Sequence, residues 1–206
     1  MPSQKVFVYL AELPDRGDFI SLSPKERDEE VKCTRGELIK RQKYFAWKLL
    51  EYALNNAYGL TMEECAPYKN DLGKWCSRKC EFSISHSKRA IAVAISDKPV
   101  GIDVEWLCLR HSDRLFEKVI TKEEKLYFDT LSESDKIHFF INEWTKREAA
   151  YKLAPSADNS ILTIDVQSVN FFTDSKVIAG DNYIYSIATE SEADISFSFL
   201  VNEYIP

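Results

Sequence analysis

The stretch GIDVEW, residues 101–106, decides the fold, because it predicts a β-strand with two carboxylates on one face. Aliphatic side chains recur at every second position from Val100 to Val104, and this period of two places them on one face of the strand. Asp103 and Glu105 fall on the opposite face, where like charges repel each other. We therefore expect water to separate the two carboxylates, or a cation to bind between them.

A third carboxylate lies on the helix that the sequence predicts over residues 136–152. Apolar residues recur there at spacings of three and four and form an inward stripe. Glu148 is on this stripe, four residues after Trp144 and three before Tyr151, and a carboxylate there is costly unless something neutralises it. One interpretation is an ion pair with Lys152, one turn later. The other joins Glu148 to the two strand carboxylates in an oxygen-only site, the kind that Mg²⁺ prefers.

Composition and charge restrict the class of protein. The 206 residues, 45% apolar and 29% charged, suffice for a sizeable core in a globular protein. The net charge of −6 argues against a nucleic-acid-binding protein. We expect a cytoplasmic protein without membrane contact, because the sequence shows neither a membrane-span pattern nor a signal-peptide pattern. The five cysteines are odd in number and irregularly spaced, so we expect reduced thiols. A zinc site of Cys76 and Cys80 with His86 is the alternative, although no second ligand pair follows.

The predicted elements follow the order strand, helices, strands, and this order occurs twice. The first round has a strand at 5–13, a helix with Ser23 as N-cap and Pro24 at its first position, a helix at 35–59, and a hairpin at 81–95 with its tip at 85–89. The second round has the strand at 99–105, helices between 107 and 154, and strands at 161–172, 182–189 and 195–205. We therefore expect two α+β halves of similar plan, residues 1–100 and 101–206.

Three ordered motifs give the chain a family resemblance. The segment SISHSKRAIAVAISDKPVGIDVEWL, residues 83–107, is followed by FFINEWTKREAAYKL, residues 139–153. A Ser-His-Ser turn, a G-[IV]-D-[IV]-E strand and a W-[ST]-x-K-E-[AS]-x-x-K helix in this order and spacing resemble the 4′-phosphopantetheinyl transferases of the surfactin-synthetase-activating type. The resemblance is strong over about residues 70–153 and weaker elsewhere.

The resemblance implies both a reaction and an architecture. The enzyme would move the phosphopantetheine arm of coenzyme A to a serine of an apo acyl or peptidyl carrier protein, and would release adenosine 3′,5′-bisphosphate. The two α+β halves would be related by a pseudo-twofold axis, with coenzyme A in the cleft between them. Because one chain of this type carries both halves of the site, we expect a monomer.

The same resemblance implies roles for the residues that match its motifs. Asp103, Glu105 and Glu148 would bind Mg²⁺ against the pyrophosphate of coenzyme A. Asp103, Glu148 and Lys152 would form the catalytic set. Glu148 would act as general base for the serine proton and Lys152 would stabilise charge on the pyrophosphate.

Further residues would bind coenzyme A itself, together with Lys152. Ser85 and His86, at the expected hairpin tip, would hold the 3′-phosphate with hydroxyl, imidazole and backbone N–H groups. Lys74 matches a family lysine near the adenine and the 3′-phosphate, and Arg41 in the long basic helix is a further candidate.

The chain also departs from the family pattern in places. Arg147 stands where the family usually has lysine before the catalytic glutamate, and it offers a fixed fork of donors. GKW at residues 73–75 replaces the usual Gly-Lys-Pro, and LAPSADNS at 153–160 replaces a Gly-rich loop. These departures affect the expected contacts to adenine and to the carrier, and they leave the three carboxylates intact.

Two other functions stay open on the sequence. The same carboxylates would serve a metal-dependent phosphoesterase or nuclease, although the negative net charge argues against a nucleic-acid substrate. A non-catalytic relative would only bind carrier proteins. If the protein binds carrier proteins, as a transferase or as a non-catalytic relative, the basic run within residues 32–48 is a candidate docking surface for an acidic partner.

Overall fold

The protein is described by a computed structural model, which covers residues 3–108, 119–156 and 160–200. The helices are α1 (Lys25–Cys33), α2 (Glu37–Tyr58), α3 (Met62–Cys65), α4 (Lys122–Phe128) and α5 (Glu133–Leu153). The strands are β1 (Gln4–Glu12), β2 (Tyr68–Lys69), β3 (Trp75–Cys76), β4 (Glu81–Ser87), β5 (Ala90–Ser96), β6 (Val100–Trp106), β7 (Asn170–Ile178), β8 (Asp181–Thr189) and β9 (Ala193–Leu200). The predicted α+β class is confirmed.

Two sheets form the centre of the molecule. One has the strand order β4-β5-β1-β9, the other has the order β6-β8-β7, and β2 and β3 form a small separate ribbon. β9 pairs in parallel with β1, with Val6 opposite Ile195, although the remaining neighbours in the two sheets are antiparallel. The last described strand therefore joins the sheet that begins the chain. The division at residue 100 and the pseudo-twofold relation stay predictions.

The two sheets pack face to face because β5 has small side chains on one side. Ala90, Ala92 and Ala94 face the core between the sheets, which also contains the aliphatic side chains of β6. The larger side chains of β5, from Ile91 to Ile95, lie in a second core together with α2. α5 packs on the other side of β6 and β8. The order of layers is thus α2, the four-stranded sheet, the three-stranded sheet and α5.

The strongly periodic elements were predicted correctly. β6 buries Val100, Ile102 and Val104 in the core between the sheets, as its alternation required. α2 ends where Gly59 adopts a left-handed conformation, with φ of 64°, and its N–H caps the carbonyls of the last turn. No helix within the described residues is long and apolar enough to cross a membrane.

The start of the first helix differs from the prediction. α1 begins at Lys25, and Pro24 rather than Ser23 is its N-cap, without a side-chain cap. The first turn is instead tied to the preceding loop, because the Asp28 carboxylate accepts the N–H of Leu22 at 3.0 Å.

The prediction of a strand over residues 161–172 was wrong, because β7 begins only at Asn170. The segment before it forms turns in which side chains take the backbone donors. Thr163 Oγ1 accepts the N–H of Ser160 at 3.0 Å, and the Asp165 carboxylate accepts the N–H of Gln167 at 2.8 Å. Such local bonds compete with a sheet ladder. Parts of the helices expected between 107 and 154 and of the strand expected at 195–205 lie outside the described residues.

Candidate active site

Strand β6 is attached to β4 by three serine hydroxyls. The Oγ atoms of Ser83, Ser85 and Ser87 accept the N–H groups of three alternate β6 residues, at 3.0, 3.3 and 3.1 Å. These N–H groups lie on the side of β6 that does not pair with β8. The serines recur at every second position of β4, so one face of the strand supplies the whole series. This spacing was visible in the sequence, but its structural role was not recognised.

Two of these serines also hold the carboxylates of GIDVEW. Ser85 Oγ donates to Asp103 Oδ1 at 2.7 Å, and Ser87 Oγ donates to Glu105 Oε2 at 2.7 Å. The expected hairpin tip at 85–89 was therefore too wide. Ser85, His86 and Ser87 pair with β5 inside strand β4, and only residues 88 and 89 form the turn. Ser85 is buried, and its hydroxyl has partners on both β6 and α5.

Gly101 lets α5 lie directly on β6. A Cβ atom at this position would be 1.9 Å from the carbonyl oxygen of Ala149 and 2.7 Å from the nitrogen of Leu153. The helix backbone thus occupies the space that any other residue would need. Because Ala149 is at this contact, the neighbouring Glu148 and Lys152 are brought to the strand that carries the two carboxylates.

Lys152 forms its ion pair with Asp103. Its Nζ atom is 2.7 Å from Asp103 Oδ1 and 3.1 Å from Ser85 Oγ. Helix spacing allowed an ion pair between Lys152 and Glu148, but Lys152 of α5 pairs instead with Asp103 of β6. Asp103 is 3% exposed, and its second oxygen, Oδ2, is buried without a hydrogen-bond partner among the described residues.

Burial and mutual repulsion shift the pKa values of the other two carboxylates upward. Desolvation, followed by the charge of Asp103, raises the pKa of Glu105 to about 7, although the bond from Ser87 opposes this. Desolvation and the charge of Asp103 also raise the pKa of Glu148, while Lys152 lowers it. Burial is thus the main cause of both upward shifts, and the negative charge of Asp103 adds to it.

These groups line a cavity of about 370 Å³ that also has a positive end. At that end the carboxylate of Glu30 is surrounded by cations. It lies 3.2 Å from Arg27 Nη1, 3.1 Å from Lys43 Nζ and 2.9 Å from Lys69 Nζ, and Trp75 Nε1 donates to it at 3.3 Å. Three cations on one carboxylate leave net positive charge. Sequence reasoning missed this cluster as a unit, since its members come from α1, α2 and β2.

His86 lines the same cavity and is largely buried. Desolvation, followed by the charges of Lys152, Arg27 and Lys43, lowers the pKa of His86 to about 4. The imidazole is therefore neutral at physiological pH, chiefly because it is buried, and the nearby cations favour the neutral form further. The structure thus brings Asp103, Glu105, Glu148, Lys152, Ser85 and His86 to one cavity.

Lys74 and Arg41 lie elsewhere. Lys74 lines an adjoining cavity of about 270 Å³ with mostly apolar walls, which shares Trp75, Ile84 and Lys152 with the first. Its Nζ atom donates to the carbonyl of Lys152 at 2.6 Å. Arg41 lines neither of these two cavities. The structure therefore places Lys74 beside the other predicted residues and leaves Arg41 apart from them.

The chemistry of the three carboxylate side chains suits a hard cation. All three predicted ligands are carboxylates, and Asp103 has a buried oxygen without a partner among the described residues. The negative charge of Asp103 also contributes, after burial, to the raised pKa values of Glu105 and Glu148. A complete cage is not preformed, because within residues 3–108, 119–156 and 160–200 no three His, Cys, Asp or Glu side chains form a metal-binding group. In this structure the Lys152 ammonium is the cation at Asp103.

Comparison with known proteins links this site to a family. Residues 99–199, which contain β6 and α5, match the family model of the 4′-phosphopantetheinyl transferase superfamily. A 4′-phosphopantetheinyl transferase of Aneurinibacillus migulanus, named gsp, is 29% identical over 85 residues, which are 41% of this chain and 35% of that protein. The aligned part thus spans about a third of the relative's length. The chain is therefore similar to the 4′-phosphopantetheinyl transferase superfamily over residues 99–199, as its three motifs predicted.

Proposed function

We propose that the protein transfers the 4′-phosphopantetheine arm of coenzyme A to a serine of an apo acyl or peptidyl carrier protein, in a Mg²⁺-dependent reaction. One observation carries this proposal. The carboxylates of β6 and the side chains of Glu148 and Lys152 on α5 line a single cavity, and both elements lie in the region that matches the superfamily. Adenosine 3′,5′-bisphosphate is the second product.

The shape and charge of the cleft support coenzyme A as the donor. The polar cavity has a positive end at Arg27 and Lys43, with Lys69 paired to Glu30 beside it, and this end suits phosphate groups. Its negative end at the carboxylates suits a cation. The adjoining cavity is mostly apolar and suits a base or an alkyl chain. A long ligand with phosphates and an apolar part matches both cavities together.

The reacting groups follow from this placement. The serine oxygen of the carrier forms a bond to the phosphorus that bears the pantetheine arm, and the bond from this phosphorus to the bridging oxygen of the pyrophosphate breaks. Glu148 accepts the serine proton, for which its raised pKa is suited. Lys152 donates to the pyrophosphate oxygens. Mg²⁺ held by Asp103, Glu105 and Glu148 would offset the negative charge of the phosphates.

Other predicted contacts to coenzyme A are retained in part. The neutral imidazole of His86 lines the cavity that also contains Lys152, Arg27 and Lys43, which supports a hydrogen bond to the 3′-phosphate. Ser85 is a weaker candidate, because Asp103, Val104 and Lys152 already use its hydroxyl. Arg41 stays a prediction without support from the cavity walls.

The carrier would approach the exposed part of the basic segment. Lys43 and Lys48 are engaged in ion pairs with Glu30 and Glu51, so they are not free for docking. Arg35 is exposed, Lys40 is partly exposed, and Lys32 is exposed although it pairs with Asp28. The exposed apolar side chains of Leu38 and Ile39 lie in the same segment, at the start of α2. Positive charge next to apolar surface suits an acidic carrier helix. Because α1, α2 and α5 of one chain all contribute to the polar cavity, a monomer is sufficient for the reaction.

Intact-mass analysis of carrier proteins tests the proposal. Apo carriers of fatty-acid, polyketide and nonribosomal-peptide type are incubated with the protein, coenzyme A and Mg²⁺, and a carrier with alanine in place of the acceptor serine is the control. Each serine-containing substrate should gain one phosphopantetheine. Cleavage of coenzyme A without carrier modification would instead indicate a phosphoesterase. Binding of carrier without either reaction would indicate a non-catalytic relative.

A further inference from the structure

Lys74 stands on a tight turn that joins β2 and β3. The Asn70 side-chain oxygen accepts the N–H groups of Leu72 and Lys74 at 3.1 and 2.9 Å. The Asn70 N–H donates to the carbonyl of Lys74, and the Gly73 N–H donates to the carbonyl of Asn70, both at 2.9 Å. Gly73 has a φ of 78°, which a residue with a side chain rarely adopts. The backbone under Lys74 is therefore closely fixed.

The ammonium of Lys74 reaches the C-terminal end of α5. It donates to the carbonyl of Lys152 at 2.6 Å, across a sequence separation of 78 residues. α5 ends at Leu153, so this carbonyl belongs to the last turn, whose oxygens lack partners within the helix. A cation at a helix C-terminus also interacts favourably with the helix dipole. Lys74 thus caps α5 from another part of the chain.

The capped residue is also the one whose side chain enters the active site. While the Lys152 carbonyl accepts from Lys74, the Lys152 ammonium lies 2.7 Å from Asp103 Oδ1 and 3.1 Å from Ser85 Oγ. The backbone of Lys152 is held from one side and its side chain from the other. Any movement of the last turn of α5 therefore moves the ammonium relative to the carboxylates.

We propose that Lys74 is a positioning residue, which fixes the last turn of α5 and thereby sets the position of the Lys152 ammonium in the active site. This inference rests on the proposed function for its kinetic consequences. It differs from the role that the family resemblance implies, in which Lys74 contacts coenzyme A directly. The two roles make opposite predictions, because a positioning residue affects turnover whereas a ligand affects the binding of coenzyme A.

The test compares three variants. Lys74→Met removes the ammonium and retains an unbranched side chain, whereas Lys74→Arg retains a charged donor. Lys25→Met is the matched control, since its side chain is 85% exposed on α1 and pairs only at the surface. Thermal unfolding of each variant confirms that it is folded before kinetics are measured.

We expect Lys74→Met to lower kcat by about 10- to 100-fold, because small displacements of catalytic groups have effects of this size. The KM and the calorimetric Kd for coenzyme A should stay within about threefold of wild type, as expected when binding contacts persist. Lys74→Arg should recover part of kcat, and Lys25→Met should behave as wild type. A tenfold or larger loss in Kd with kcat retained would overturn the proposal and make Lys74 a ligand.

A structural measurement keeps this test separate from the proposed function. Hydrogen exchange of the amides in residues 150–156 should be faster in Lys74→Met than in wild type, and unchanged in Lys25→Met. This comparison needs no transferase activity. Unchanged exchange in Lys74→Met would refute the cap even if the enzyme is a transferase. Faster exchange in a protein that transfers nothing would support the cap and refute the proposed function.

Discussion

Gly101→Ala is expected to move α5 away from β6, the strand that carries Asp103 and Glu105. The added methyl group would lie 1.9 Å from the Ala149 carbonyl oxygen, and contacts below about 3.0 Å essentially never occur for a Cβ atom. Both close contacts are with backbone atoms, which cannot rotate away as a side chain can. α5 must therefore shift by about 1 Å, the difference between these two distances.

The magnitude of the effect follows from that shift. Overpacking of this kind typically lowers the free energy of unfolding by about 1–3 kcal/mol. Misplacement of catalytic groups by about 1 Å costs on the order of 100-fold in rate. Glu148 and Lys152 directly flank the displaced turn, so kcat should fall by about this factor. The KM for coenzyme A should change less, because the positive end of the cavity lies on α1, α2 and β2.

The assay is steady-state transfer to an apo carrier, measured on protein whose folded fraction is determined by thermal unfolding. Gly180→Ala is the control, because its methyl group meets nothing within 4 Å while its φ of 81° makes any side chain strained. This control should lose stability and retain kcat. Gly101→Ala with kcat within threefold of wild type would refute the idea that this contact sets the position of α5.

The remaining predictions concern the same cleft and its surroundings. Asp103→Asn and Glu148→Gln should each abolish transfer at saturating Mg²⁺ while circular dichroism stays native, and near-full activity in either would remove that residue from the catalytic set. His86→Ala should weaken the binding of coenzyme A by about 1–3 kcal/mol, the range for a hydrogen bond to a charged group, and the binding of 3′-dephospho-coenzyme A by less. Equal losses of binding free energy in calorimetry would place His86 elsewhere. Lys40→Glu should raise the KM for carrier alone, and added salt should do the same in wild type; a KM that responds to neither would make docking apolar.

Local patterns predicted those parts of the fold that local interactions determine. The alternation of β6, the helical conformation of α5 and the end of α2 at Gly59 each depend on residues a few positions apart. The run ILTIDV at 161–166 shows the limit of this reasoning. Its branched apolar residues favour a strand, but turns held by Thr163 and Asp165 form there instead.

Contacts between distant residues explain what the sequence did not predict. The parallel pairing of β9 with β1 has no local signal, and it places the last described strand beside the first. The partner of Lys152 was not predictable from helix spacing, because Asp103 competes with Glu148 only once α5 lies on Gly101. The carboxylates themselves were identified because two short motifs happen to contain all three.

The positive end of the cavity yields a prediction about stability in acid. Burial raises the pKa of Glu30, but hydrogen bonds from Lys69 and Lys43 and the charge of Arg27 outweigh it and lower the pKa to about 2. A depressed pKa stabilises the fold above the pKa of the unfolded state, 4.5 for a glutamate, and this contribution is lost as the pH falls toward 2.

Full linkage for such a shift is on the order of 3 kcal/mol, and solvent screening of a partly exposed carboxylate reduces it to about 1–2 kcal/mol. Unfolding by urea from pH 7 to pH 3 should therefore show a steeper loss in wild type than in Glu30→Gln. Parallel curves would mean that the ion pairs of Glu30 with the three cations do not contribute to the free energy of unfolding. In that case other charges would already neutralise the three cations. The proposed affinity of this end of the cavity for phosphate would then need another explanation.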